Sequence, residues 1–379
     1  MKRIIIFIFL LVCNGVVQAQ DSNEYAQADK VARALPYGQS HSTADIASYI
    51  VNNCKTDQAR IRAAYTWVTS NITYDADSIH RVILDEDNVQ RITYALKRRK
   101  GVCENFAAIF TDICTRMNIP AYAVEGYTCQ NGFMDRAPHV WCAAFINGKW
   151  FLYDPTWDAG SLRGGKFIPF VRTDYFQKSP GEFVHNHLPF DPMFQFLDYP
   201  LMYKDFEKGR YIDEKKAPYF NYEDSLSVYQ KSDSLTRYLS SLARIKNCGW
   251  PLARVDTKIK RMKLEIEIIY QDRDMALYNS AVADYNNAIT IMNDFAEYRN
   301  HRFEPPKKNE EVYKMFASIT DKITTANQKI KQINSSLATL TLDTGDIQKK
   351  LDDLNIGVKE QLEFYKNNVD TKKSVSVEN

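Results

Sequence analysis

Three residues, Cys103, His139 and Asp154, are of the types that together turn a thiol into a nucleophile. The sulfur attacks, an imidazole takes and returns a proton, and a carboxylate orients the imidazole. Cys103 opens the stretch "CENFAAIF". Phe106, Ile109, Phe110, Ile113 and Met117 fall on one helical face there, with Cys103 one turn before Phe106 on the same face. A thiol at a helix N-terminus sits near the positive end of the helix dipole, which favours the thiolate, and among backbone N–H groups able to bind a developing oxyanion. The run Lys97-Arg98-Arg99-Lys100 pushes the same way and Glu104 opposes it.

The base and its orienting group follow from a turn. "FINGKW" sets Asn147-Gly148 between two strand-like runs, a strong signal for a two-residue hairpin. If Ile146 pairs with Lys149, then Phe145 faces Trp150, Ala143 faces Leu152 and Trp141 faces Asp154. His139 shares a face with Trp141 by alternation and is the diagonal neighbour of Asp154, about 7–8 Å away at the backbone and within reach of an imidazole–carboxylate hydrogen bond. Packing the helix of Cys103 on that face completes a triad. Taken singly, each residue has a plainer reading: a buried cysteine is a small hydrophobe, a strand histidine a satisfied core residue, and Asp before Pro a turn former.

The same geometry weighs against two rivals. A metal site from His139 and Cys142 fails because a separation of three puts the two on opposite faces of a strand. A Cys114–Cys142 disulfide meets the same objection, since Cys114 shares the helix face of Cys103 while Cys142 points away from the face of His139. Pairings among Cys54, Cys129, Cys142 and Cys248 stay open. The proposed chemistry calls for no metal and no cofactor.

Around this centre, residues 21 to about 100 read as mainly helical, and "YAVEGYT", "HVWCAAFI" and "KWFLYD" read as strands. Residues 161–215 read as long loops with short elements on the sheet. Trp67 reads as core, Trp141 and Trp157 either as walls of a substrate cleft or as plain core packing, and His185 and His187 as solvated or structural, with a substrate contact the lesser reading. From about Asp224 the chain is polar and helical. Val312, Phe316, Ile319, Ile323, Ala326, Ile330, Ile333, Leu337 and Leu340 alternate steps of four and three as a heptad seam. Val255, Ile259, Met262, Ile266 and Ile269 begin another, and Ile347, Leu351, Leu354 and Val358 form a third run. Pro305-Pro306 separates two of the helices. A helical bundle or hairpin buries these stripes within one chain; a coiled coil uses residues 250–366 for self-association or partner binding.

The 379 residues, 45% hydrophobic and 25% charged, suffice for two or three globular units. A net charge of +2 offers no field for nucleic acid or an anionic membrane. The start, "MKRIIIFIFLLVCNGVVQAQ", has a basic head, an apolar run too short to span a bilayer and a small-residue cleavage site, which is the pattern of a signal peptide over residues 1–20. Export to a secreted or periplasmic location follows. Acylation at Cys13 is disfavoured by Val12 before it. Six cysteines remain after cleavage, so reserving Cys103 as a free thiol leaves at least one more unpaired.

"GVCENFAAIF", "HVWCAAFINGKWFLYDPTWDAG" and "ARIRAAYTWVTSNITYDAD" resemble the transglutaminase-like superfamily, its Cys, His and Asp blocks in order. "YFQKSPGEFVHNHLPFDPMFQFLDYPL" is similar to the segment following the core in the kyphoscoliosis-peptidase branch. The resemblance spans about residues 25–210. It implies an α+β, papain-like fold in which a Cys-bearing helix packs on an antiparallel sheet bearing His and Asp; the all-α region read from the heptad spacing beyond about 224 lies outside the resemblance. The domains are then a signal peptide at 1–20, a transglutaminase-like domain at 21–220 and a helical domain at 221–379. By motif, Cys103 is the nucleophile, His139 the base and Asp154 the orienting carboxylate of an acyl transfer on a protein or peptide substrate. If water resolves the thioester, the protein is a protease or amidase, the favoured reading; if an amine does, it is a crosslinking transglutaminase. A peptide-binding scaffold without turnover is the reading from another class.

Overall fold

The computed structural model describes residues 25–78, 88–209, 218–333 and 344–377. The leader, Cys13, Leu337 and Leu340 lie outside the described residues. Two compact units divide between Ile259 and Lys260.

The first unit begins with helices α1 (25–34), α2 (Thr43–Asn53), α3 (Asp57–Asn71) and α4 (Asn88–Arg98). Ser42 caps α2 by accepting the Asp45 amide, and Thr56 caps α3 by accepting the Ala59 amide. Short strands β1 (Thr73–Tyr74) and β2 (Lys100–Gly101) pair in parallel and lead into α5 (Cys103–Arg116). A sheet follows from β3 (Ala121–Gln130), β4 (Phe133–Met134), β5 (His139–Ile146) and β6 (Lys149–Tyr153), in the order β4-β3-β5-β6. Then come α6 (Pro155–Ala159), a hairpin of β7 (Gly160–Arg163) and β8 (Lys166–Pro169), α7 (Pro180–Phe183), β9 (His187–Pro189) on the free edge of β3, and α8 (Tyr203–Glu207).

The β5–β6 register is the one the turn dictates: Ile146 faces Lys149, Phe145 faces Trp150 and Ala143 faces Leu152. Asn147 and Gly148 have φ of 53° and 75°, the doubly positive conformation that Asn-Gly tolerates. The expected packing face is corrected. α5 covers Val140, Cys142, Ala144 and Ile146, which join Phe106, Ile109 and Phe110 in one core, and Cys142 Sγ lies 3.9 Å from the Ala107 carbonyl. Trp141 and Ala143 face the opposite way, onto Val124, Trp150, Phe183 and Met193. β5 is buried on both faces, so alternation could not say which face the helix takes. Cys114 and Cys142 consequently share a core, contrary to the ground on which their pairing was excluded, and both are free thiols, as are Cys54, Cys103, Cys129 and Cys248.

Helices α9 (Tyr222–Lys231) and α10 (Ser234–Asn247) belong to this unit and extend it past the residue-220 boundary read from sequence. Leu226 enters the core of Trp141 and Trp150, Arg244 makes a two-pronged ion pair with Asp191 at 2.8 Å, and Trp250 Nε1–H donates to the Phe190 carbonyl at 3.1 Å.

Helix α11 (Leu252–Asn300) carries the chain into the second unit, which also holds α12 (Asn309–Gln332) and α13 (Thr344–Val377). The seam residues Val312, Phe316, Ile319, Ile323, Ala326 and Ile330 are buried against Ala281, Ala288 and Phe295 of α11 and Ile347, Leu351, Leu354 and Val358 of α13. One chain therefore covers its own stripes here.

Candidate active site

Cys103 is placed by the entry into α5. Gly101 has no side chain, and a Cβ there would collide with Asn105, whose Oδ1 accepts the Val102 amide at 2.8 Å and whose Nδ2 donates to the Arg91 carbonyl at 3.1 Å. This fixes the first turn, and the half-buried Cys103 packs against the α5 core. Glu104 pairs with Arg91 at 3.6 Å. Three of the four basic residues are engaged elsewhere: Lys100 and Arg98 reach Asp75 at 2.9 and 3.4 Å, and Arg99 lies over the buried Trp67 ring. Their expected help to the thiol is thus taken up by other partners.

His139 is the first residue of β5, so its ring stands at the rim of the sheet, where the start of α5 meets it. Its Nε2 lies 2.7 Å from Asp154 Oδ2, which leaves Nδ1 free to face the Cys103 side chain, whose influence also reaches the ring. Burial alone pulls the His139 imidazole down, but the Asp154 carboxylate and the Cys103 side chain push it up to about 10. Asp154 follows the last residue of β6 and caps α6. Its Oδ1 accepts the Thr156 and Trp157 amides at 2.9 and 3.1 Å. Burial would raise its carboxyl, yet His139 and the hydrogen bond from His187 hold it far below the usual range.

The structure thus brings Cys103, His139 and Asp154 together. It separates the two tryptophans. Trp157 stacks on His139 at 5.7 Å and lines a cavity of about 780 Å³ with His139, Tyr74, Asn186 and Tyr175. Trp141 is 1% exposed, lies in the core behind the histidines and does not line that cavity, which is the core-packing alternative of the two readings. His185 is exposed.

Sequence reasoning read His187 as solvated or structural and did not connect it to Asp154. It is buried on β9, and β3 sets it beside His139: Gly126 pairs with His139 on one edge, Thr128 with His187 on the other, and positions two apart on β3 share a face. His187 Nε2 lies 3.2 Å from Asp154 Oδ2. The signal for it was a third block, "HNHLPF", whose strand pairs only across a long stretch of chain. His139, Asp154 and His187 place ligand-type atoms within 4.8 Å of one another, the only such group among the described residues. Hydrogen bonds between the rings and the carboxylate already account for that closeness.

Residues 44–155 match the family model of the transglutaminase-like superfamily, so the chain carries a transglutaminase-like domain there, of α+β architecture. It is similar to kyphoscoliosis peptidase of Mus musculus, 26% identical over 209 residues that make up 53% of this chain and 30% of that protein. It is also similar to hillarin of Drosophila melanogaster, 21% identical over 53% of this chain and 26% of that one. The chain thus spans under a third of the length of these curated relatives. Among solved structures, a TGase aligns over 36% of this chain and 35% of its own at 17% identity and a TM-score of 0.25.

Proposed function

We propose that the chain is an exported cysteine hydrolase, a protease or amidase acting on protein or peptide amides through Cys103, His139 and Asp154. The observation that supports this most is one imidazole held at 2.7 Å to a fully buried carboxylate, with the Cys103 side chain near enough to raise its titration. The Cys103 thiolate attacks the amide carbonyl carbon, and the amide of Cys103 at the head of α5 faces the developing oxyanion. The tetrahedral intermediate collapses, the C–N bond breaks, and the imidazolium of His139 gives its Nδ1 proton to the leaving amine. His139 then takes a proton from water, whose oxygen attacks the thioester; the acid leaves and the thiol is restored. Asp154 keeps Nε2 protonated throughout. Water is favoured as the resolving nucleophile by the likeness to a protein named a peptidase. Export rests on the signal-like leader. The test is mass-spectrometric profiling of exported proteins treated with wild-type chain and with Cys103→Ala. New N-termini that need Cys103 support hydrolysis; isopeptide-linked pairs would instead assign crosslinking, and no difference from Cys103→Ala would remove the catalytic reading.

A further inference from the structure

The mechanism above uses one imidazole, yet Asp154 Oδ2 meets two, from His139 at 2.7 Å and His187 at 3.2 Å. His187 sits in an aromatic box, its ring centroid 4.0 Å from Phe183, 4.6 Å from Trp157 and 5.0 Å from Trp141. Burial there outweighs the pull of the Asp154 carboxylate and keeps the ring neutral, down at about 4. A neutral imidazole has one N–H, and a carboxylate only accepts. That N–H therefore lies on Nε2 and points to Oδ2. Nδ1 lies 2.6 Å from Asn186 Oδ1, and Asn186 Nδ2 lies 3.1 Å from Tyr175 Oη; a lone pair on Nδ1 calls for the carboxamide turned over, Nδ2–H donating to Nδ1 and Oδ1 accepting from the Tyr175 hydroxyl. Tyr175 and Asn186 line the cavity. A chain of polar contacts thus runs from the cavity wall to the carboxylate.

We propose that His187 is a positioning residue: its Nε2–H, with its tautomer set by Asn186, pins Asp154 Oδ2 in the orientation that meets His139. The α6 amides hold only Oδ1. Without His187, Oδ2 would be placed by His139 alone, so that the carboxylate and the ring it must orient would each depend on the other. This inference rests on the reading of Cys103, His139 and Asp154 given above.

The experiment is alkylation of Cys103 by iodoacetamide at pH 6 in the full chain, followed by peptide mass spectrometry, with melting curves for every variant. Phe fills the aromatic box better than Gln, whereas only Gln presents an N–H near Oδ2, so packing and hydrogen-bonding roles predict opposite orders. His187→Gln should label within about threefold of wild type and His187→Phe about tenfold more slowly. Phe at the wild-type rate, or Gln and Phe equally slow, overturns the proposal. Asn186→Ala, at a half-exposed position outside the box, should slow labelling about threefold, and a wild-type rate there overturns it even if the box variants do not fold. His139→Ala is the separate control: labelling as fast as wild type would defeat the underlying thiol–imidazole reading, whatever the His187 variants do.

Discussion

His139 Nε2 lies 2.7 Å from Asp154 Oδ2, the carboxylate oxygen that the cap of α6 does not use. The two duties of Asp154 can therefore be separated. Asn at 154 keeps an oxygen for the Thr156 and Trp157 amides and turns a donor toward both imidazoles, each of which can accept by moving its proton to Nδ1. His139 would then aim an N–H at Cys103 and could not take its proton. Asp154→Asn should melt close to wild type while Cys103 alkylation at pH 6 falls at least about tenfold. Asp154→Ala should also lose the cap, about 1 kcal/mol of stability. Rapid labelling of Asp154→Asn would contradict the assigned tautomer.

The same contact makes stability depend on pH. The His139 imidazole titrates at 6.5 by reference and at about 10 in the fold, because the Asp154 and Cys103 contacts overcome its burial. A raised folded value contributes stability fully present below pH 6.5 and lost as pH rises toward 10. Asp154, held low, contributes above its reference 3.8 and loses that contribution in acid. Asp158, which burial pushes up to about 6, favours the fold most below 3.8 and progressively less up to pH 6. The melting temperature should fall from pH 6.5 to 10, and His139→Phe should flatten that slope. An equally steep slope in the variant would place its origin at another group.

Tyr65 braces α6 from α3. Its hydroxyl lies 2.6 Å from Asp158 Oδ2 and 2.9 Å from the Asp154 carbonyl, and Tyr65 and Asp158 are both fully buried. Tyr65→Phe leaves buried acceptors without that donor, so unfolding in urea should show a loss of about 1–3 kcal/mol. A change under about 0.5 kcal/mol would mean that the hydroxyl is dispensable.

Residues 222–259 complete the first unit. A chain ending at 216 leaves Trp150 without Leu226, Asp191 without Arg244 and the Phe190 carbonyl without Trp250. It should melt roughly 10 °C below one ending at 259. Equal melting temperatures would show that these helices add nothing to the core.

Much of the site was legible because its decisive contact is local. Asn147-Gly148 fixes one turn, the turn fixes the register, and the register brings His139 and Asp154 together. The heptad seam of α12 was legible for a similar reason, since its spacing is a property of one helix. The face that α5 covers was not, because every residue of β5 except Phe145 is buried and a strand buried twice carries no mark of its partner. The tie of His187 to Asp154 was hidden for a different reason: β9 reaches β3 across many intervening residues, and only that pairing sets Thr128 and Gly126 between the two histidines. The contribution of residues 222–259 escaped because polar amphipathic helices read alike whether they cover a sheet or each other.

All four acceptor positions of Asp154 are occupied, two by backbone amides and two by imidazoles. Solvent thus finds no docking point on this carboxylate while α6 stays wound. The proton between His139 and Asp154 can trade with bulk deuterium only when the helix end opens, so it should persist as a slowly exchanging low-field resonance. Its lifetime would then serve as a clock for the opening of the site, and in Tyr65→Phe, which loosens α6, the clock should run faster.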